Sequence, residues 1–200
     1  MWDMALRMGF RGGSVLEPGC GTGVFIAARP EKLEGKIAFT GIENDPISAR
    51  IARKLYPNQW IRSEDFTRAQ LPRGYDLAIG NPPFSNRTVH GRDGLEKQGL
   101  SLHDFFIARS IDALRPGGIA LFVTSRYTLD KTDPKARRIM GESADLLGAV
   151  RLPEGAMRDD AGTDVVVDIL AFRKRELGRN CRHPRLRRGK WPARHKSVFP

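Results

Sequence analysis

The apolar run Tyr75-Asp76-Leu77-Ala78-Ile79-Gly80 ends abruptly in Asn81-Pro82-Pro83-Phe84. Each proline fixes φ near about −65° and removes a backbone N–H, and the residue before a proline is driven to extended geometry. The run is therefore read as a short buried strand that stops in a rigid bend. Open α/β folds place their ligands at the carboxyl edge of the sheet, which makes this bend the expected place of chemistry.

The bend presents acceptors with few competing donors: the side-chain oxygen of Asn81 and the carbonyl of Pro82. Such a pair suits a planar exocyclic amine, whose two N–H bonds it can accept. Phe84 adds a flat face on which a base stacks, worth roughly 1–3 kcal/mol. An ordinary strand-ending turn is the competing interpretation, since Asn-Pro and Pro-Pro are common loop punctuation.

A second constellation lies upstream. Ser14-Val15-Leu16-Glu17 reads as a strand, and Pro18-Gly19-Cys20-Gly21-Thr22-Gly23 turns into a helix beginning near Val24. Alternating glycines let the backbone approach a ligand and accept φ > 0, while the following helix offers free N–H groups. The second strand, 36–42, ends in Glu43, which is placed to accept the hydroxyls of a ribose. The spacing Gly19-x-Gly21-x-Gly23 departs from the dinucleotide pattern and disfavours NAD.

Asp45-Pro46 predicts an N-cap and first helical residue, with the helix running to about Tyr56. A third strand at Gln59-Trp60-Ile61 is followed by Asp65-Phe66. That pair fits either a grip on an adenine ring, by its amino group and its face, or a helix cap beside a core phenylalanine. The polar stretch 85–100 is long enough to be functional, and its Arg87, His90 and Arg92 suit phosphates or open solvent. Ser101-Leu102-His103-Asp104 predicts a capping box into a helix, with His103 solvated. Arg115 to Gly118 ends that helix, 119–124 forms a fifth strand, and Asp133-Pro134 opens another helix. Segments 147–152 and 163–172 read as the last two strands, the second interrupted by an unplaced Asp168.

Two hundred residues, 40% of them hydrophobic, support one sizeable core. Two cysteines, Cys20 and Cys181, make no disulfide framework, so a cytoplasmic location is expected. No apolar run reaches the about 18 residues of a membrane span. The net charge of +11 is unevenly spread: from Arg173 onward 11 basic residues face Glu176 alone, whereas the preceding chain holds 23 basic and 22 acidic side chains. The body is nearly neutral, and residues 176–200 read as a basic, disordered tail that attracts phosphates non-specifically.

Together these residues resemble the Rossmann-like methyltransferases that use S-adenosylmethionine, and among them the amino-methyltransferases with an Asn-Pro-Pro-aromatic motif. Ile107-Ala108-Arg109-Ser110 with Leu114-Arg115-Pro116-Gly117-Gly118, Thr128-Leu129-Asp130-Lys131, Arg151-Leu152-Pro153 and Ala161-Gly162-Thr163-Asp164 are similar to the N6-adenine DNA methylase domain of large phage and plasmid helicase–methylase polypeptides. The resemblance covers about residues 1–175. It implies a class I methyltransferase fold: a doubly wound α/β sheet, mostly parallel, with an antiparallel last strand. It also implies S-adenosylmethionine held by Glu17, Pro18, Gly19, Cys20, Gly21, Gly23, Glu43, Asp65, Phe66 and Asn81, with catalysis at Asn81, Pro82, Pro83 and Phe84 and no metal. DNA is the implied partner, its adenine flipped out of the duplex, together with a separate recognition or helicase region. Family members carry an aromatic and proline motif upstream of the first helix, so the chain is expected to be truncated. Protein glutamine amides and ribosomal RNA guanine N2 are alternative acceptors, and a non-catalytic fragment or subunit that needs a partner is a third possibility.

Overall fold

The computed structural model describes residues 1–85, 87–92, 94–155 and 166–176. Among these, seven strands form one sheet in the order β3-β2-β1-β4-β5-β7-β6. They are β1 (Gly13–Pro18), β2 (Ile37–Glu43), β3 (Trp60–Ser63), β4 (Tyr75–Gly80), β5 (Leu114–Ser125), β6 (Ala144–Arg151) and β7 (Val167–Lys174). The first five strands pair in parallel, and β7 runs antiparallel between β5 and β6. This is the mostly parallel sheet with an antiparallel last strand that the resemblance implies.

Alternation along each strand builds two cores, because successive side chains point to opposite faces. Leu16, Ala78, Ala120, Phe122 and Leu170 face one way and bury against Phe105, Ile107 and Ile111 of a long helix and Met140 of a later one. Val15, Leu77, Ile79, Leu121 and Ala171 face the other way, against Trp2, Ala5, Ile26, Ala49 and Ala52. The helices are α1 (Trp2–Arg7), α2 (Val24–Ala27), α3 (Pro46–Leu55), α4 (Leu102–Ala113), α5 (Tyr127–Asp130) and α6 (Lys135–Ser143). Helix α3 begins as its sequence predicts: the Asp45 side chain accepts from the Ser48 N–H at 2.8 Å, and Pro46 takes the first turn. It packs through Ala49 and Ala52, and leaves Ile47, Ile51 and Leu55 exposed.

Several local features differ from their sequence expectations. Arg115 to Gly118 does not separate α4 from β5: the strand already begins at Leu114, which pairs with Tyr75. The register then shifts before Leu77 pairs with Ile119, and Gly117 takes up the irregularity at φ +76°. No capping box forms at α4. The Ser101 hydroxyl donates to the Asp104 carboxylate at 2.6 Å instead of accepting a backbone N–H. His103, expected in solvent, is 2% exposed, because α4 is buried nearly all round. Asp168 finds its partner across the sheet: Arg151 Nε and Nη2 donate to its two carboxylate oxygens at 2.8 and 2.9 Å. The segment Ala161 to Asp164 and the tail beyond Glu176 lie outside the described residues.

Candidate active site

Strands β1, β2 and β4 run parallel, so their carboxyl ends share one edge of the sheet. The glycine turn leaves β1 there, Glu43 closes β2, and Asn81 follows β4. Strand order reverses between β1 and β4, which puts a crevice between the two exits.

The turn is fixed on β2 by its own amides. The N–H groups of Gly19 and Cys20 both donate to the Ile42 carbonyl, at 2.7 and 3.1 Å. Gly21 N–H donates to Glu43 Oε2 at 2.7 Å, and Asp45 N–H donates to Oε1 at 2.8 Å. Glu43 is thus held in place by two backbone donors. A carboxylate offers about four lone-pair sites, so acceptor capacity remains for a pair of hydroxyls.

The glycines divide by role. Gly19, Gly21 and Gly23 all have positive φ, at 69°, 54° and 92°. A Cβ on Gly23 would lie 2.5 Å from the Tyr56 ring, so this glycine admits a packing partner from the end of α3. A Cβ on Gly21 meets nothing within 4 Å, so its backbone faces open space that a ligand can enter. At Gly19 a Cβ would stand 3.8 Å from Pro83 Cδ and from Phe106 Cε1. The cofactor turn and the Asn-Pro-Pro-Phe bend are therefore in van der Waals reach of one another.

Burial shapes the electrostatics of the turn. Glu17 is 2% exposed and, among the described residues, its Oε2 has no hydrogen-bond partner. Desolvation lifts its carboxyl well above the usual range; the Phe25 N–H opposes that shift, and nearby Glu43 adds to it. Such an orphaned, buried acceptor beside a glycine turn fits a ligand that brings a cation. Cys20 is also buried, and desolvation together with Glu17 and Glu43 pushes its thiol up to about 12. That thiol packs against β2, where a Cβ on Gly41 would stand 2.8 Å from Cys20 Sγ.

Asn81 and Pro83 are exposed, Pro82 is buried, and Phe84 is half-buried. Among the described residues no hydrogen bond engages the Asn81 side chain or the Pro82 carbonyl. Beyond β3, Asp65 Oδ1 accepts from the Thr67 N–H at 2.8 Å, and among the described residues none donates to Oδ2. Phe66 differs from the expected adenine platform. It is 2% exposed, its ring centroid is 4.6 Å from that of Phe106, and the Arg109 guanidinium covers it at 5.7 Å. Phe66 is thus a core phenylalanine, while Asp65 accepts from the Thr67 N–H in a turn and caps no helix among the described residues. Tyr56 and Phe106 are the neighbours that sequence reasoning missed as parts of the site, because their helical spacing marks them only as apolar.

Residues 4–142 match the family model described as the methyltransferase small domain. The chain belongs to this family. It is 29% identical over its whole length to the defense against restriction protein B of Escherichia phage P1, of which it spans 8%. It is 34% identical over 56% of its length to the type II methyltransferase M.TthHB8I of Thermus thermophilus, of which it spans 29%. In structure it is similar to the type I restriction-modification system methyltransferase subunit of Streptococcus thermophilus. The TM-score is 0.71 at 17% identity, over 88% of this chain and 43% of that one. The chain thus spans less than half the length of each of these relatives.

Family and fold make S-adenosylmethionine the cofactor. The residues present fit it: a turn open at Gly21, an anchored Glu43 at the end of β2, and an unpaired buried acceptor on Glu17.

Proposed function

We propose that this methyltransferase transfers the methyl group of S-adenosylmethionine to the N6 amine of adenine in DNA. The observation that carries the proposal is the bend after β4. Two unengaged acceptors, Asn81 Oδ1 and the Pro82 carbonyl, stand beside the cofactor turn, with Pro83 in reach of Gly19. Relatives named as restriction-system methyltransferases support DNA as the acceptor polymer.

The bound cofactor supplies an electrophilic methyl on a sulfonium, and the chain's task is to present a nucleophile to it. The exocyclic nitrogen of adenine is a poor nucleophile because its lone pair is delocalised into the ring. Accepting both of its N–H bonds at Asn81 and Pro82 favours the pyramidal amine and aims its lone pair. The methyl's bond to sulfur breaks as its bond to nitrogen forms, and the nitrogen's surplus proton passes to water; positioning of this kind can supply about 7–11 kcal/mol of the barrier, so no strong base is required. Phe84 stacks on the target base once it has left the duplex. Glu43 holds the ribose, Asp65 Oδ2 accepts from the cofactor's adenine amine, and Pro18, Gly19, Cys20, Gly21 and Gly23 line the turn. The exposed Arg87, His90 and Arg92 meet the phosphate backbone.

The test is methyl incorporation from labelled cofactor into duplex DNA, ribosomal RNA and protein, compared side by side. DNA labelled at N6-methyladenine is the expected product. Asn81→Ala is expected to lower turnover by about a hundredfold or more, with cofactor affinity nearly unchanged. Transfer at the wild-type rate by that variant, or label found only in RNA or protein, overturns the assignment.

A further inference from the structure

Behind the Asn81–Phe84 bend lies a buried polar cluster that neither the cofactor turn nor the acceptor pair uses. His103 and Asp104, in the first turn of α4, are 2% and 1% exposed. Asp104 Oδ2 accepts from Ser101 Oγ at 2.6 Å and from Lys131 Nζ at 3.4 Å, and Oδ1 accepts from Thr128 Oγ1 at 2.9 Å. Thr128 and Thr124 share a hydrogen bond at 2.9 Å. The carboxylate thus ties α4 to the end of β5, to α5 and to the residue that follows it.

His103 extends the cluster to the bend. Its Nδ1 lies 3.3 Å from the carbonyl oxygen of Ser85, the residue directly after Phe84. Its Nε2 lies 3.3 Å from Ser101 Oγ and 3.6 Å from Asp104 Oδ1. A carbonyl only accepts, so Nδ1 must carry a proton to bond it. Capping a helix needs a short side chain at its N-terminus and makes no use of an imidazole that reaches a different loop.

We infer that His103 is a positioning residue for methyl transfer: it donates from Nδ1 to the Ser85 carbonyl and thereby fixes the Asn81–Phe84 bend against the glycine turn. The inference rests on the reading of Asn81 and Pro82 as ligands of the acceptor amine. Two prolines stiffen the middle of the bend, but its far end needs an anchor. On the near side β4 is locked into the sheet, while on the far side, among the described residues, the Arg87 N–H donates to the Ser85 hydroxyl and the next ties to another element are Val89 N–H to the Leu100 carbonyl and Leu102 N–H to the Arg87 carbonyl. His103 closes that interval. Burial lowers the imidazole pKa, Asp104 opposes this, Lys131 reinforces it and the Ser85 carbonyl opposes it, so the neutral ring prevails at neutral pH. A neutral ring with its proton on Nδ1 is the donor the Ser85 carbonyl requires.

The experiment compares His103→Leu with His103→Asn in the full chain, using cofactor titration, steady-state transfer to adenine-containing duplex DNA and amide hydrogen exchange at Phe84, Ser85 and Arg87. Asn offers an N–H near the place of Nδ1, whereas Leu fills the space and offers none. His103→Leu is expected to lower kcat by about tenfold or more, keep cofactor Kd within about twofold and speed exchange at the three amides. His103→Asn is expected to recover most of kcat and of the exchange protection. Unchanged exchange in His103→Leu overturns the inference, as does equal damage by both substitutions, which marks the histidine as packing alone. Should the wild-type chain methylate no adenine, the acceptor assignment fails separately, and the exchange comparison still decides whether His103 holds the bend.

Discussion

Glu17 shows how one side chain couples the fold to its ligand. A carboxyl whose folded pKa is raised above its unfolded value binds a proton more tightly in the native state. Stability therefore falls as pH rises between the ordinary carboxylate range and the raised value. A cofactor amine seated near Oε2 would reverse the preference by favouring the ionised form, so that binding would release a proton and strengthen with pH. Glu17→Gln keeps the shape and cannot ionise. It is expected to lack the fall in stability that the wild type shows as pH rises above the ordinary carboxylate range, and to bind S-adenosylmethionine about tenfold more weakly with no dependence on pH. Urea unfolding and calorimetric titration over a pH series rising from that range check both halves. A wild-type stability that is flat across this window would show that the buried carboxyl pays no desolvation cost.

At the scale of elements, β6 and β7 are joined by a charge pair as well as by their ladder. Asp168 is fully buried, and its two bonds from Arg151 are completed by a third from Arg151 to Asp130 at 3.0 Å. Breaking a buried pair costs about 3–5 kcal/mol, and the 40% exposure of Arg151 places this one near the lower end, about 3 kcal/mol. Arg151→Ala is expected to lower the unfolding free energy by that amount, read as a lower urea midpoint with the slope unchanged, and Arg151→Lys to recover part of it. Asp168 also shows where sequence reasoning stops. Strand periods, the α3 cap and the glycine turn are local properties and were legible: Asp45 caps Ser48, Glu43 closes β2, and the bend at Asn81 ends β4. The partner of Asp168 lies 17 residues away on a neighbouring strand, across a segment with no periodic signal. His103 was misplaced, and the choice between the two readings of Phe66 stayed open, for the same reason. Their exposure depends on how α4 lies against the sheet, and helical spacing near Ser101 gives no sign that even the polar side of that first turn is covered.

For the whole molecule the question is where its charge acts. Residues 177–200 hold eight of the 34 basic side chains and no acidic one, so a chain ending at Glu176 would carry a net charge of +3 instead of +11. The loop after β4 carries exposed Arg87 and Arg92 and the end of β5 is followed by exposed Arg126, while other cations of the body are paired, such as Arg109 with Glu96 and Arg151 with Asp168. Non-specific affinity for duplex DNA falls with salt by about 0.9 log units per log unit of salt for each phosphate neutralised. If the basic stretch supplies most of those contacts, truncation after Glu176 flattens the salt dependence by several units and leaves the affinity for S-adenosylmethionine unchanged, because the cofactor turn lies more than a hundred residues upstream. DNA binding measured across a salt series, with cofactor titration in parallel, separates the two. An unchanged salt slope in the truncated chain would assign the phosphate contacts to the body and leave the eight cations without a part in DNA binding.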